Sequence, residues 1–126
     1  MGTQEETVHE ACEGHVEKLR AVRDAMDVLS GKWKIPIMGA LRFKGKMRFM
    51  DLLREVNGIA AKMLSKELQE LEAHQLITRT VLNTKPITVE YEITEHGKTL
   101  DKMITEIVNW GLAHRKAVMA PSQLVH

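Results

Sequence analysis

The sequence predicts a mainly α-helical domain with one small β-hairpin, in the order helix, helix, helix, helix, hairpin, helix. Three observations lead there. Aromatic residues are only 4% of the 126 residues while there are eight Met, which favours a Leu/Ile/Val/Met helical core over a β-sandwich. Apolar residues recur at three- and four-residue steps over most of the chain. The period then drops to two over a short stretch late in the sequence.

The first helix runs from His15, with Leu19, Val22, Met26 and Leu29 on one face and Ser30-Gly31 as its stop. Trp33 to Phe43 reads as a second, more buried helix carrying Ile35, Ile37, Met38, Ala40 and Leu41, with Pro36 in its first turn. A basic connection, Phe43 to Met47, leads into a short third helix over 48–56 with Phe49, Leu52, Leu53 and Val56. Asn57-Gly58 is a turn signal, and a fourth helix over 60–74 carries Leu64, Leu68 and Leu71 on one stripe. Two helices joined by so few residues have helix-turn-helix spacing. In 77–82, Ile77 and Val81 alternate with Thr78 and Thr80; in 88–93, Val89, Tyr91 and Ile93 alternate with Thr88, Glu90 and Glu92. Residues 83–86 connect these two strands. A lone hairpin is marginal in water, so it must pack on the helices. Thr94 is placed to cap a last helix from 95 to about 117, with Leu100, Met103, Ile104, Ile107, Val108 and Leu112. A helix-turn-helix followed by a hairpin is a winged helix.

The length fits one domain: a flexible acidic start over 1–14, a folded unit over 15–118 and a tail over 119–126. No apolar run approaches a membrane span, and the polar, acidic start does not resemble a signal peptide. Cys12 is the only cysteine, so no disulfide framework exists. The expected location is the cytoplasm.

The net charge of +1 hides a segregation. Residues 1–14 carry four Glu and no Lys or Arg, and residues 15–50 carry nine basic and three acidic residues. On the fourth helix Lys62, Ser65, Lys66 and Gln69 project away from the leucine stripe, while Glu70 and Glu72 lie near its end. The helix macrodipole disfavours that charge order, so a polyanionic partner is indicated. Double-stranded operator DNA fits, because the first half of a recognition helix enters the major groove. Arg42, Lys44, Lys46 and Arg48, before and at the start of the third helix, are candidate phosphate contacts, and so is Lys85 at the hairpin tip. An ordinary solvated face is the other reading of these charges.

Catalytic constellations are missing: the chain has no glycine-rich phosphate loop, no GxSxG and no HExxH, so an enzyme is not expected. His9-x-x-Cys12-x-x-His15 has a sterically possible soft-ligand spacing, but an incidental polar terminus explains it, and neither metal nor cofactor is expected. His74 and His96 read as exposed or capping residues, Trp33 and Trp110 as core or subunit-interface anchors rather than ligand-pocket walls. The outer helices carry wide apolar faces, including Leu19, Val22, Met103, Ile107 and Trp110, more than a small lobe can bury alone. A homodimer is the expected remedy.

The stretches AVRDAMDVLSGKWKIPIMGAL, KMRFMDLLREVNGIAAKMLSKELQELEAHQLITRTV, VEYEITEHGKTL and VNWG, from about residue 20 to residue 111, resemble the HxlR-type bacterial transcription regulators. The resemblance implies a winged-helix homodimer of MarR-like architecture, joined through its N- and C-terminal helices, with the fourth helix and the wing meeting DNA. Two departures stand out. The Cys-Pro common in the family falls at Arg20-Ala21, which removes the cysteine through which some members sense oxidants or electrophiles. Ala60 replaces the usual Ser before the recognition helix, a weaker cap by roughly 1 kcal/mol, with Asn57 as a partial stand-in. A winged helix that binds only proteins is the alternative function. A small-molecule effector, if one exists, is not legible in the residues.

Overall fold

A computed structural model describes the backbone of residues 3–119 and the side chains from residue 13 onward. The elements are α1 (Thr3–Val28), α2 (Lys34–Lys44), β1 (Met47–Arg48), α3 (Phe49–Glu55), α4 (Ala61–Ala73), β2 (Ile77–Leu82), β3 (Thr88–Ile93), α5 (Glu95–Lys98) and α6 (Asp101–Met119). This is the winged helix expected from the pattern, and the two hairpin strands fall where the alternation puts them.

Three features differ from the sequence reading. First, α1 begins at Thr3 rather than His15, so the acidic start is helical. Glu, Gln and Ala are good helix formers, and acids near a helix N-terminus are favoured by the macrodipole. Second, the sheet has three strands, in the order β1-β3-β2. Met47 and Arg48 pair antiparallel with Tyr91 and Glu90, so the connection before α3 is the third strand. Third, the last helix is broken. Thr94 does cap a helix, its Oγ1 accepting from the Gly97 N–H at 2.9 Å, but that helix is the four-residue α5. The backbone then tightens, with Thr99 bonded to His96 and Leu100 to Gly97, before α6 starts.

The core lies between α2, α3, α4 and the sheet. Ile37, Met38 and Leu41 from α2 meet Leu52 of α3, Leu64, Leu68 and Leu71 of α4, and Met47, Ile77 and Tyr91 of the sheet. Gly58, at φ 92°, makes the turn between α3 and α4. Val28, Leu100 and Ile104 pack against the rim of this core, as does Trp33. No described residue of α1 or α6 is itself buried. The two long helices therefore leave the lobe with their apolar positions open.

Candidate nucleic-acid interface

Helix α4 is held by its inner face. Leu64, Leu68 and Leu71 are buried, and so is Glu67. Lys62, Lys66 and Gln69 are exposed on the opposite side, and Ser65 is half-buried beside them. Neither Lys62 nor Lys66 forms an ion pair among the described residues. Ser65 and Gln69 border a cleft of about 430 Å³ between α4 and the sheet, closed by Phe49, Leu68, Glu72, Arg79, Val89 and Tyr91. Ala60 takes the N-cap position of α4 without any side-chain hydrogen bond, so Asn57 does not stand in for the missing serine. The first N–H groups of α4 thus point outward without a side-chain acceptor.

The pairing of β1 with β3 brings the start of α3 beside the wing. Arg48, exposed at the N-cap of α3, shares a second cleft of about 410 Å³ with Met50, Arg54, Ile87 and Val89. Lys85 is exposed in the connection between β2 and β3, and Lys46 is exposed just before β1. Lys44 lies 4.0 Å from Glu55, a loose surface pair. Arg42 departs from the expectation: its Nε donates to Asp101 at 2.6 Å, tying α2 to the first residue of α6. It is a joint between helices rather than a free cation.

The acids on α4 also have a different cause from the one the charge order suggested. Lys34 is 2% exposed, and its ammonium donates to Glu67 at 2.5 Å and to Glu70. Burial opposes the charge on Lys34, but its hydrogen bonds to both carboxylates outweigh it and hold its pKa above the ordinary lysine value. The Lys34 hydrogen bond holds the Glu70 carboxyl below the usual carboxylate value. Two of the three α4 acids, Glu67 and Glu70, are therefore accounted for inside the lobe. Only Glu72 keeps the pattern first read from the sequence.

Arg79 is the residue that the sequence reading missed. It sits in the row of Ile77 and Val81, on the sheet face turned to the helices, opposite Tyr91. An arginine in the apolar row of an alternating strand was the available signal. The structure puts it in the same cleft as Ser65 and Gln69.

On the outer helices, Leu19 (55%), Val22 (57%) and Trp110 (68%) are open to solvent, and Ile107 is exposed as well. Met103 is half-buried. Trp110 stacks on His114 with ring centroids 4.7 Å apart. Trp33 is half-buried against the core, whereas His74 and His96 are exposed. The His9 and Cys12 side chains lie outside the described residues, as does the tail from residue 120; His15 is exposed. Among the described residues no group of three ligands could hold a metal, and no helix is long and apolar enough to cross a membrane.

Comparison with known proteins gives one answer. The model of the HxlR-like helix-turn-helix family matches residues 28–119. The HTH-type transcriptional regulator YtcD of Bacillus subtilis is 39% identical over 94 residues, covering 75% of this chain and 74% of its own. A regulator of the same type from Methanothermobacter thermautotrophicus is 37% identical over 98 residues, covering 78% of this chain and 74% of its own. The solved structure of the redox regulator HypR in its reduced form superposes with a TM-score of 0.72 at 34% identity, over 79% of this chain and 98% of that one. The fold, the motifs and these matches agree that the chain belongs to the HxlR-like helix-turn-helix family of transcriptional regulators.

Proposed function

We propose that the chain binds operator DNA as a homodimer, with α4 in the major groove and the cations around it on the phosphates. The observation that carries this is the outer face of α4, where Lys62, Ser65, Lys66 and Gln69 stand together without internal ion pairs beside the wing. Lys donates to guanine O6 and N7, Gln pairs with adenine, and Ser serves either role. Arg48, Lys46 and Lys44 lead into α3, the helix that crosses the backbone in this motif, and Lys85 extends the wing tip. The uncapped N–H groups of α4 add a neutral attraction for phosphate oxygens.

Dimerisation is supported by the faces of α1 and α6. Leu19, Val22, Ile107 and Trp110 would be covered by the same helices of a second copy, with Met103 completing the α6 row from its half-buried place. Two copies present two α4 helices, which suits a pseudo-palindromic site with half-sites about one helical turn apart. Such a protein works on the chromosome, in the cytoplasm. It needs no cofactor and performs no catalysis.

The test is selection of bound fragments from the source genome, followed by gel shift on the enriched sequence and light scattering of the free protein. Enrichment of one two-fold site, bound by a dimer, is expected. No enrichment above random fragments, or a monomer at micromolar concentration, would overturn the proposal.

A further inference from the structure

Lys34 holds the most deeply buried charge among the described residues, and it stands where the lobe meets α1. Its ammonium has three protons and three acceptors: the Ser30 carbonyl at 3.3 Å, Glu67 at 2.5 Å and Glu70. Ser30 follows the end of α1, whereas Glu67 and Glu70 are one turn apart on α4. The same short junction also lies beside the turn before α4. The Trp33 ring edge lies 3.8 Å from where a Cβ on Gly58 would stand.

We propose that Lys34 is a positioning residue: it fixes α4 against the end of α1, and so sets the separation at which the two α4 helices of a dimer meet DNA. This rests on the DNA-binding homodimer proposed above. The chemistry favours a geometric role over a stabilising one. A buried ion pair contributes little net stability, because desolvation of both charges offsets their attraction, and apolar replacements of equal volume are often as stable. What an apolar contact lacks is direction. Sliding α4 by about 1.5 Å, the rise of one residue, draws one carboxylate away from a fixed ammonium and drives the other toward it, so both bonds cannot be kept, whereas apolar contacts carry no such directional requirement. Two carboxylates and a carbonyl around one nitrogen therefore select a single register of α4 relative to α1.

The test uses the full-length protein and two variants. Lys34→Met combined with Glu67→Met removes one charge of each sign and keeps the volume, so the fold and the general attraction to DNA are retained. Glu70→Gln leaves Lys34 paired with the buried Glu67, so no buried charge loses its last partner, and the substituted side chain is itself 41% exposed. Each protein is measured for melting temperature, dimer mass, and affinity for three DNAs: the selected operator, the operator with its half-sites moved apart by about two base pairs, and random DNA. Wild type is expected to lose affinity on the respaced operator. The double variant should melt and dimerise like wild type and bind random DNA equally, yet lose roughly tenfold on the operator and most of the spacing penalty. Glu70→Gln, which also removes one negative charge and so favours every DNA alike, should lower the ratio of operator to random affinity by about threefold and reduce the spacing penalty. If the double variant does not fold, Glu70→Gln decides alone. Folded variants that keep both the operator preference and the spacing penalty would overturn the inference. A wild type that selects an operator but tolerates respacing would also overturn it and leave the DNA-binding reading standing. A wild type that selects no sequence removes that reading, and this inference with it.

Discussion

Replacing Gly97 by alanine tests how tightly α5 is seated on the sheet. A Cβ at this position would lie 2.9 Å from Ile93 Cγ2 and 3.2 Å from the Leu76 carbonyl carbon, and nearer still to the Leu76 oxygen. The half-buried Ile93 side chain can turn aside, but the Leu76 backbone cannot. Its oxygen accepts from the Thr94 N–H at 3.1 Å, its N–H donates to Leu71 at 3.0 Å, and its side chain is deep in the core. Helix α5 must therefore lift away. Overpacking of this kind costs about 1–3 kcal/mol. Lifting α5 also loosens the Thr94 anchor, whose Oγ1 donates to the Gln75 carbonyl at 2.7 Å. Each weakened hydrogen bond adds about 1 kcal/mol, and the better helix propensity of alanine returns about the same amount. The net expectation is a loss of about 2–4 kcal/mol, or roughly 10 °C in melting temperature. Urea unfolding followed by circular dichroism at one fixed protein concentration measures it, because the stability of the proposed dimer would depend on concentration. Gly39→Ala in α2 is the control: a Cβ there meets nothing within 4 Å, so that change should be neutral or stabilising. A Gly97→Ala protein within about 0.5 kcal/mol of wild type would refute the close seating of α5.

Four other outcomes are expected. Lys85→Ala should weaken operator and random DNA alike and lower the salt slope by about one unit, whereas Gln69→Ala should weaken the operator alone by about 1–3 kcal/mol; titrations at several salt concentrations separate the two. Trp110→Ala should raise the dimer dissociation constant by a factor corresponding to about 2 kcal/mol, read by sedimentation. The Glu70 carboxyl is held below its unfolded value by Lys34, so its contribution is present at neutral pH and is lost as pH falls through and below the ordinary carboxylate range. Glu70→Gln should flatten that acid limb in a stability-versus-pH series, and the two curves should converge at low pH. Cys12→Ser should leave DNA binding unchanged with and without oxidant, because the family's sensing position is Arg20 here; an oxidant response lost in the variant would contradict this.

What the chain's local pattern settled is what depends on near neighbours. The alternation over 77–82 and 88–93 names the wing strands, because side chains on a strand repeat every two residues whatever lies beyond it. The spacing of Leu64, Leu68 and Leu71 names the inner face of α4 and therefore its outer face. Thr94 announces a cap because capping is a bond three residues long. The rest was settled in three dimensions. Strand β1 is two residues long and has no period to read; it exists only because β3, more than forty residues later, offers its edge. The last helix breaks because Gly97 seats against Leu76 and fixes α5, a contact that the continuous apolar pattern of 95–117 does not contain. Nothing in the local pattern sets Lys34 apart from the other cations, yet its partners are 33 and 36 residues away and bury it. Arg42 looked free for phosphate until α6 returned Asp101 to it. Charge type is written in the residue, but whether a charge faces solvent, DNA or another charge depends on which distant segment packs over it, and only the folded chain brings those segments together.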